Sequence, residues 1–151
     1  MYLWSLYFKG SRKKIYHVLL LYDPYKVEID WEVLKYFISS RRVDLIITHF
    51  WQNDIKRSLN SNIGKKKQDI IEKAYSMDFE KLLSKFNSLS PYERNEFLRT
   101  RFKEQIEKNN HGMQEVYVGY GPIFNQNNVA VYDIVGISHS MAGYTLFKDE
   151  L

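Results

Sequence analysis

The stretch "IYHVLLLYDPYKVEIDWEVLKYFISSRRVDLIITH", residues 15–49, decides the fold. It opens on a continuous apolar run, Ile15 to Tyr22, without alternation of polar and apolar positions. Such a run suits a strand buried on both faces, as in a parallel sheet covered by helices. Pro24 stops it. Asp30 can then cap a helix from Trp31 to about Ser39, with Trp31, Leu34 and Ile38 on one face and Val33 and Phe37 beside it. Arg41 and Arg42 suit the negative end of that helix. Val43 to His49 is a second strand-like run. Strand, helix and strand with short connections make a βαβ unit, whose crossover is expected to be right-handed.

Around this unit lies a chain of 151 residues, 44% apolar and 16% aromatic. That is one domain, residues 1–151, with enough apolar material for a core. The absence of cysteine rules out a disulfide framework, thiolate zinc sites and a cysteine nucleophile. The net charge of +4 permits a nucleic-acid partner without requiring one. No apolar stretch reaches the length of a membrane span. The opening "MYLWSLYF" is followed by "KGSRKK", which puts the charge on the wrong side for a secretory signal. The closing "KDEL" then has no route to act as a retention address. The expected location is cytoplasmic.

The middle of the chain reads as helical. Asn53 to Leu59 suggests a short helix, and Lys67 to Tyr75 another. Phe79, Leu82, Leu83 and Phe86 follow a capping Asp78 at helical spacing. Ser90-Pro91-Tyr92-Glu93 is a capping box with proline at the first helical position. The helix it opens carries Leu98, Phe102 and Ile106 on one face and ends at Asn110-His111-Gly112. The tail differs. "MQEVYVGYG" and "NVAVYDIVGIS" read as an antiparallel hairpin, its loop containing Pro122 and Asn125 to Asn128 and exceeding a tight turn. A last helix is expected from Ser140 to about Glu150. The fold class is α/β: a partial doubly wound, Rossmann-like sheet of the methyltransferase type, mostly parallel and ending in an antiparallel hairpin, with a helical middle segment.

Three separated pieces resemble the three-Cys-motif partner protein (TcmP) family: "LYDPYKVEIDWEVLKYF", "VDLIITHFWQNDIKRSL" and "VYDIVGISHSMAGYTLFKDEL". The matching positions are Asp23, Pro24, Tyr25, Trp31, Leu34, Asp44, Arg57, Tyr132, Ser138, His139 and Gly143, in order from about residue 15 to the end. The family resembles S-adenosylmethionine-dependent methyltransferases in fold, and its members are associated with a partner carrying a three-cysteine motif. The resemblance therefore implies a fold more firmly than a reaction. Lys26 stands where the family has glycine, and Asp133 interrupts an otherwise apolar strand. The seven glycines never form the GxGxxG loop that cradles the cofactor in such a sheet. The chain thus resembles the carboxyl-terminal portion of the family domain, a truncated relative with residues 1–14 as an extension. It is expected to bind no cofactor alone, and S-adenosylmethionine only if another chain supplies the missing part.

The Ile15–Tyr22 strand would lie inside the full sheet, and its edge needs cover here. Tyr2 to Phe8 can fold back upon it, or a second chain can pair with it, as a homodimer or with another partner. Asp23, Pro24 and Tyr25 are the catalytic candidates, since ligands of open α/β sheets lie beyond the carboxyl ends of strands. In amino-methylating nucleic-acid enzymes an Asp/Asn-Pro-Pro-aromatic loop at this place accepts hydrogen bonds from the amine of a flipped base and stacks on it, and Asp23-Pro24-Tyr25 resembles that loop with one proline missing. The alternative is an Asp-Pro turn into a helix. His49, ending the next strand, is expected to face the same crevice as a general base or to be a satisfied strand-end histidine. The resemblance implies substrate-side roles for Trp31, Arg57 and His139, the alternative for His139, after the final strand, being a structural role at the cap of the last helix. Asp23, His49 and His139 could converge on one rim, though their spacing predicts no metal. Lys9 to Lys14 and Lys56 to Lys67 leave room for a nucleic-acid groove or for a solvated face. The function expected is that of a non-catalytic accessory or interaction protein. The alternatives are a nucleic-acid methyltransferase half that needs another chain and a basic nucleic-acid-binding module.

Overall fold

The computed structural model describes residues 17–24, 28–49, 55–59, 61, 63–112, 114–128 and 130–150. Within them the chain runs β1 (Val18–Tyr22), α1 (Trp31–Ile38), β2 (Val43–His49), α2 (Lys56–Leu59), α3 (Lys65–Tyr75), α4 (Phe79–Asn87), α5 (Pro91–Lys108), β3 (Tyr117–Phe124), β4 (Ala130–Ser138) and α6 (Met141–Glu150). Residues 15 and 16 of the expected first strand, the Tyr2–Phe8 segment, the basic run Lys9–Lys14, Tyr25, Lys26 and the first residues of the helix expected from Asn53 lie outside the described residues.

The strands form one sheet in the order β1-β2-β4-β3. β1 and β2 are parallel, with Leu20 opposite Leu45 and Tyr22 opposite Ile47. β4 returns antiparallel beside β2, and β3 pairs antiparallel with β4. The sheet is therefore mixed rather than mostly parallel: a single parallel pair is joined to a hairpin whose second strand, not its first, lies against β2.

Side chains alternate across a strand, so Leu20 and Tyr22, Leu45 and Ile47, and Val135 and Ile137 point to one face. All six are buried there, with Leu34 and Ile38 of α1, Ile71, Ala74 and Tyr75 of α3, Phe79, Leu82 and Phe86 of α4, and Leu98, Phe102 and Ile106 of α5. α6 takes the opposite face. A Cβ on Gly136 would sit 2.6 Å from the Phe147 ring, and one on Gly119 would sit 3.4 Å from that of Tyr144. Glycine at these strand positions lets the helix lie close upon the sheet.

Caps follow the sequence. Asp30 accepts from the Val33 amide at 3.2 Å and Asp78 from the Lys81 amide at 3.1 Å. Ser90 and Glu93 form a reciprocal capping box. The hairpin and its connection through Asn125 to Asn128 are as expected, but Pro122 is not in the loop. Pro122 lies within β3, opposite Asp133, and the connection is 125–129. A proline is tolerated there because β3 is an edge strand, where an amide on the outer side has no ladder partner to lose. The turn closes through the Asn128 amide to the Asn125 carbonyl at 3.0 Å, with Asn128 in the left-handed region at φ 56°.

Candidate functional site

The carboxyl ends of β1 and β2 lie side by side, and their residues divide between the two faces. Asp23 follows Tyr22 and so falls opposite Thr48, whose hydroxyl donates to Asp23 Oδ1. Asp23 is exposed and Pro24 is buried. The Tyr22 hydroxyl accepts from the Asp30 amide at 3.1 Å, which ties the loop after β1 to the start of α1. The result is an exposed carboxylate, oriented by a neighbouring hydroxyl, at the rim where such sheets bind ligands. It can accept hydrogen bonds. Tyr25, its expected aromatic companion, lies outside the described residues.

His49 does not join this rim. It shares the face of Leu45 and Ile47, and is buried at 3% exposure. Its ring stacks on Phe102, 4.1 Å between centroids and 19° apart, and Nε2 lies 2.7 Å from the Tyr75 hydroxyl. Burial, with the positive charge of Arg99 as a smaller cause, lowers its pKa to about 3. The expectation that His49 faces the crevice as a general base is therefore corrected. It is a neutral core histidine, placed there by the alternation of β2. Its Nδ1 has no hydrogen-bond partner among the described residues.

The strongest electrostatic feature beside it was visible in the sequence only as an odd acid in an apolar strand. Asp133 stands opposite His49 in the β2–β4 register and is fully buried. Arg99, on α5, donates to both its oxygens, Nε at 2.8 Å and Nη2 at 2.7 Å, and donates from Nη1 to Glu96 at 2.9 Å. This fork-on-carboxylate geometry satisfies a charge that could not otherwise stay in the core. Tyr120 closes the cluster, its hydroxyl donating to the Arg99 carbonyl at 2.9 Å. Burial raises the pKa of Tyr120 and that of Tyr75. Asp133, Arg99, Glu96 and Tyr120 are hydrogen-bonded to one another, which is the behaviour of a structural network.

The remaining candidates are dispersed. Trp31 begins α1 half-buried, its ring 5.4 Å from that of Phe102 and its indole N–H without a partner among the described residues. Arg57 is exposed on α2, and its carbonyl accepts from the Ser61 hydroxyl at 2.8 Å. His139 is at the other end of the sheet. β4 runs antiparallel to β2, so the residue after its last position lies at the amino-terminal edge of the parallel pair. At roughly 3.3 Å per residue, His139 is about 20 Å along the strand from Asp133. Asp23, His49 and His139 do not converge. Among the described residues no three histidine, aspartate or glutamate side chains gather as metal ligands would.

The chain is an α/β domain built on a mixed four-stranded sheet, with six helices among the described residues. No family model, no curated protein and no solved structure matches it. Among the described residues no helix is long and apolar enough to cross a membrane.

Proposed function

We propose that this chain is an accessory or interaction domain, related to the carboxyl-terminal part of the three-Cys-motif partner proteins, which joins a second chain through the outer edge of β1. The observation that carries the reading is the direction of the β1 amides. The Val18 amide donates to the Arg42 carbonyl at 2.8 Å, towards β2. In a parallel ladder the amides of residues 18, 20 and 22 share that direction, so those of Leu19 and Leu21 point outward. Among the described residues, β2 is the strand paired with β1. An apolar strand with an outward row of donors and acceptors is a template for another strand. The occupant proposed is a second copy of the chain, since two identical edges can pair antiparallel about a two-fold axis. The parallel pair followed by an antiparallel hairpin supports the methyltransferase-like part of the reading.

A second reading is favoured by Asp23. An exposed carboxylate at the carboxyl end of β1 fits half of a nucleic-acid methyltransferase that another chain completes. The two readings separate on titration calorimetry with S-adenosylmethionine. The accessory reading expects no heat beyond dilution for the chain alone, and micromolar binding overturns it. The exposed Lys65, Lys66 and Lys67 at the start of α3 keep a basic nucleic-acid-binding role as a third reading. A band shift of an RNA or DNA oligomer that weakens with salt would support it, and no shift at low salt would end it.

A further inference from the structure

We propose that the outer edge of β3 is a second docking edge, distinct from that of β1, and that its occupant is an extended peptide of another protein. The peptide pairs with residues 116–118 and sets a lysine or arginine side chain beside the tyrosines of β3 and α6. Among the described residues β3 ends the sheet, with β4 on its paired side. Two observations give the direction of its polar groups. Pro122, which has no amide, sits within the ladder opposite Asp133, so its nitrogen faces outward. The Glu115 carbonyl lies 3.1 Å from the His139 ring, on the side of β4. In an extended strand the amide and carbonyl of one residue point to the same side, and the side alternates along the chain. Tyr117, Gly119 and Gly121 therefore turn to β4, and Val116, Val118 and Tyr120 turn outward.

A cavity of about 380 Å³ lies at this edge, lined by the four successive residues Glu115, Val116, Tyr117 and Val118. Successive side chains of a strand point to opposite faces, so a cavity that meets all four opens on the edge itself and not on one face. Val116 and Val118 pack against the core, on the side where Lys103 and Glu107 of α5 form a wall. Tyr117 turns to the other side, where Tyr144 of α6 forms the opposite wall. The two tyrosine rings are 5.9 Å apart between centroids and tilted by 38°. The edge is thus the floor of a groove with a helix on either side. In such a groove main-chain hydrogen bonds hold an added strand, and the pockets choose its side chains.

The charges of the groove select the peptide. Its charged side chains are Lys103, Glu107 and Glu115, one more acid than base in a chain whose net charge is +4. Lys103 lies 3.7 Å from Glu107 and offsets that acid. Glu115 is left, and its exposed carboxylate accepts from the Tyr117 hydroxyl at 3.2 Å, which holds it beside the ring. A carboxylate next to two tyrosine rings matches an ammonium or guanidinium, which gains from the opposite charge and from the ring faces together. An acidic side chain would be repelled there. Two copies of this chain joined edge to edge over the same stretch would bring two Glu115 carboxylates into one groove, so a basic peptide is the better occupant.

The test is selection of a displayed library of random heptapeptides on the full chain, followed by fluorescence anisotropy of the enriched peptides. Enriched sequences are expected to carry a lysine or arginine flanked by β-branched residues. Glu115→Lys should weaken their binding about tenfold. Val118→Pro removes an outward amide, leaves the ladder to β4 in place and should weaken binding as well. If Val118→Pro does not fold, backbone pairing is read on the peptide instead. N-methylation of one alternate set of its amides should abolish binding, and methylation of the other set should leave it. No enrichment, enrichment of acidic sequences, binding that Glu115→Lys leaves unchanged, or an equal response to the two methylated sets would overturn the proposal. A wild-type dimer that Val118→Pro dissociates would put a second copy at this edge and overturn it too.

Discussion

Arg99 holds Asp133 through two guanidinium nitrogens, at 2.8 and 2.7 Å, and the carboxylate it holds is fully buried. The pair links the middle of α5 to β4 across the core face. It also raises the guanidinium above its ordinary pKa range, chiefly through the hydrogen bond to Asp133.

Removing one partner leaves the other charge without compensation. Arg99→Met should therefore cost about 3–5 kcal/mol of stability, because Asp133 then stays buried and unpaired. The double change Arg99→Met with Asp133→Leu should recover most of that loss. Denaturant midpoints of the three proteins check it. A double variant no better than Arg99→Met would show that packing, not charge, is what the pair supplies.

The pair also shows where sequence reading stopped. Asp133 stood out as an acid in an apolar strand, but its partner lies 34 positions away on another element, and no local pattern announces that. Local signals did announce the caps at Asp30, Asp78 and Ser90, because a cap is made within four residues. The bounds of β2 were likewise legible. Of the two readings of His49, the crevice-facing base fails because the end of a strand does not by itself give the face, whereas a strand-end histidine bonded within the fold agrees with its contact to the Tyr75 hydroxyl. The pattern Leu45-x-Ile47-x-His49 already placed it with the core, and Asp44, Ile46 and Thr48 on the other side. His139 was misplaced for a topological reason. A histidine after the last strand reaches the ligand-binding rim only if that strand is parallel, and β4 is not. Pro122 was read as a loop because its tolerance depends on β3 being an edge.

His49 gives the folded chain an acid limit. Its pKa is lowered to about 3 by burial and, secondarily, by Arg99. In the unfolded chain it should titrate near ~6.5. Between these values the unfolded state binds a proton that the folded state refuses. The contribution is fully present above about pH 6.5 and is lost as pH falls towards 3, by about 1.4 kcal/mol per unit. His49→Phe should flatten this limb. It should also cost about 1–3 kcal/mol near neutrality, because the Tyr75 hydroxyl loses its partner. Urea unfolding at pH 4.5 and 7.5 tests both points. Equal acid losses in the two proteins would mean that His49 accepts its proton in the folded state.

Gly136 sets the depth at which α6 lies on the sheet. An added methyl group would meet the Phe147 ring at 2.6 Å, so α6 must lift or Phe147 must leave its rotamer. Gly136→Ala should destabilise the chain by about 1–3 kcal/mol. Phe147→Ala in the same background should give part of that back, since the two residues touch and their effects should not add. A double-mutant cycle by denaturant unfolding reads the coupling, and strict additivity would contradict the contact.

The outer edge of β1 carries the proposed association. Leu21→Pro removes one outward amide and leaves the ladder to β2 intact, because residues 18, 20 and 22 make that ladder. Light scattering coupled to size exclusion, on the wild-type chain and Leu21→Pro side by side, is the most direct measurement. The account predicts a wild-type mass above that of one 18.1 kDa chain and a folded Leu21→Pro monomer. A stable wild-type monomer, or association that Leu21→Pro leaves unchanged, would contradict it.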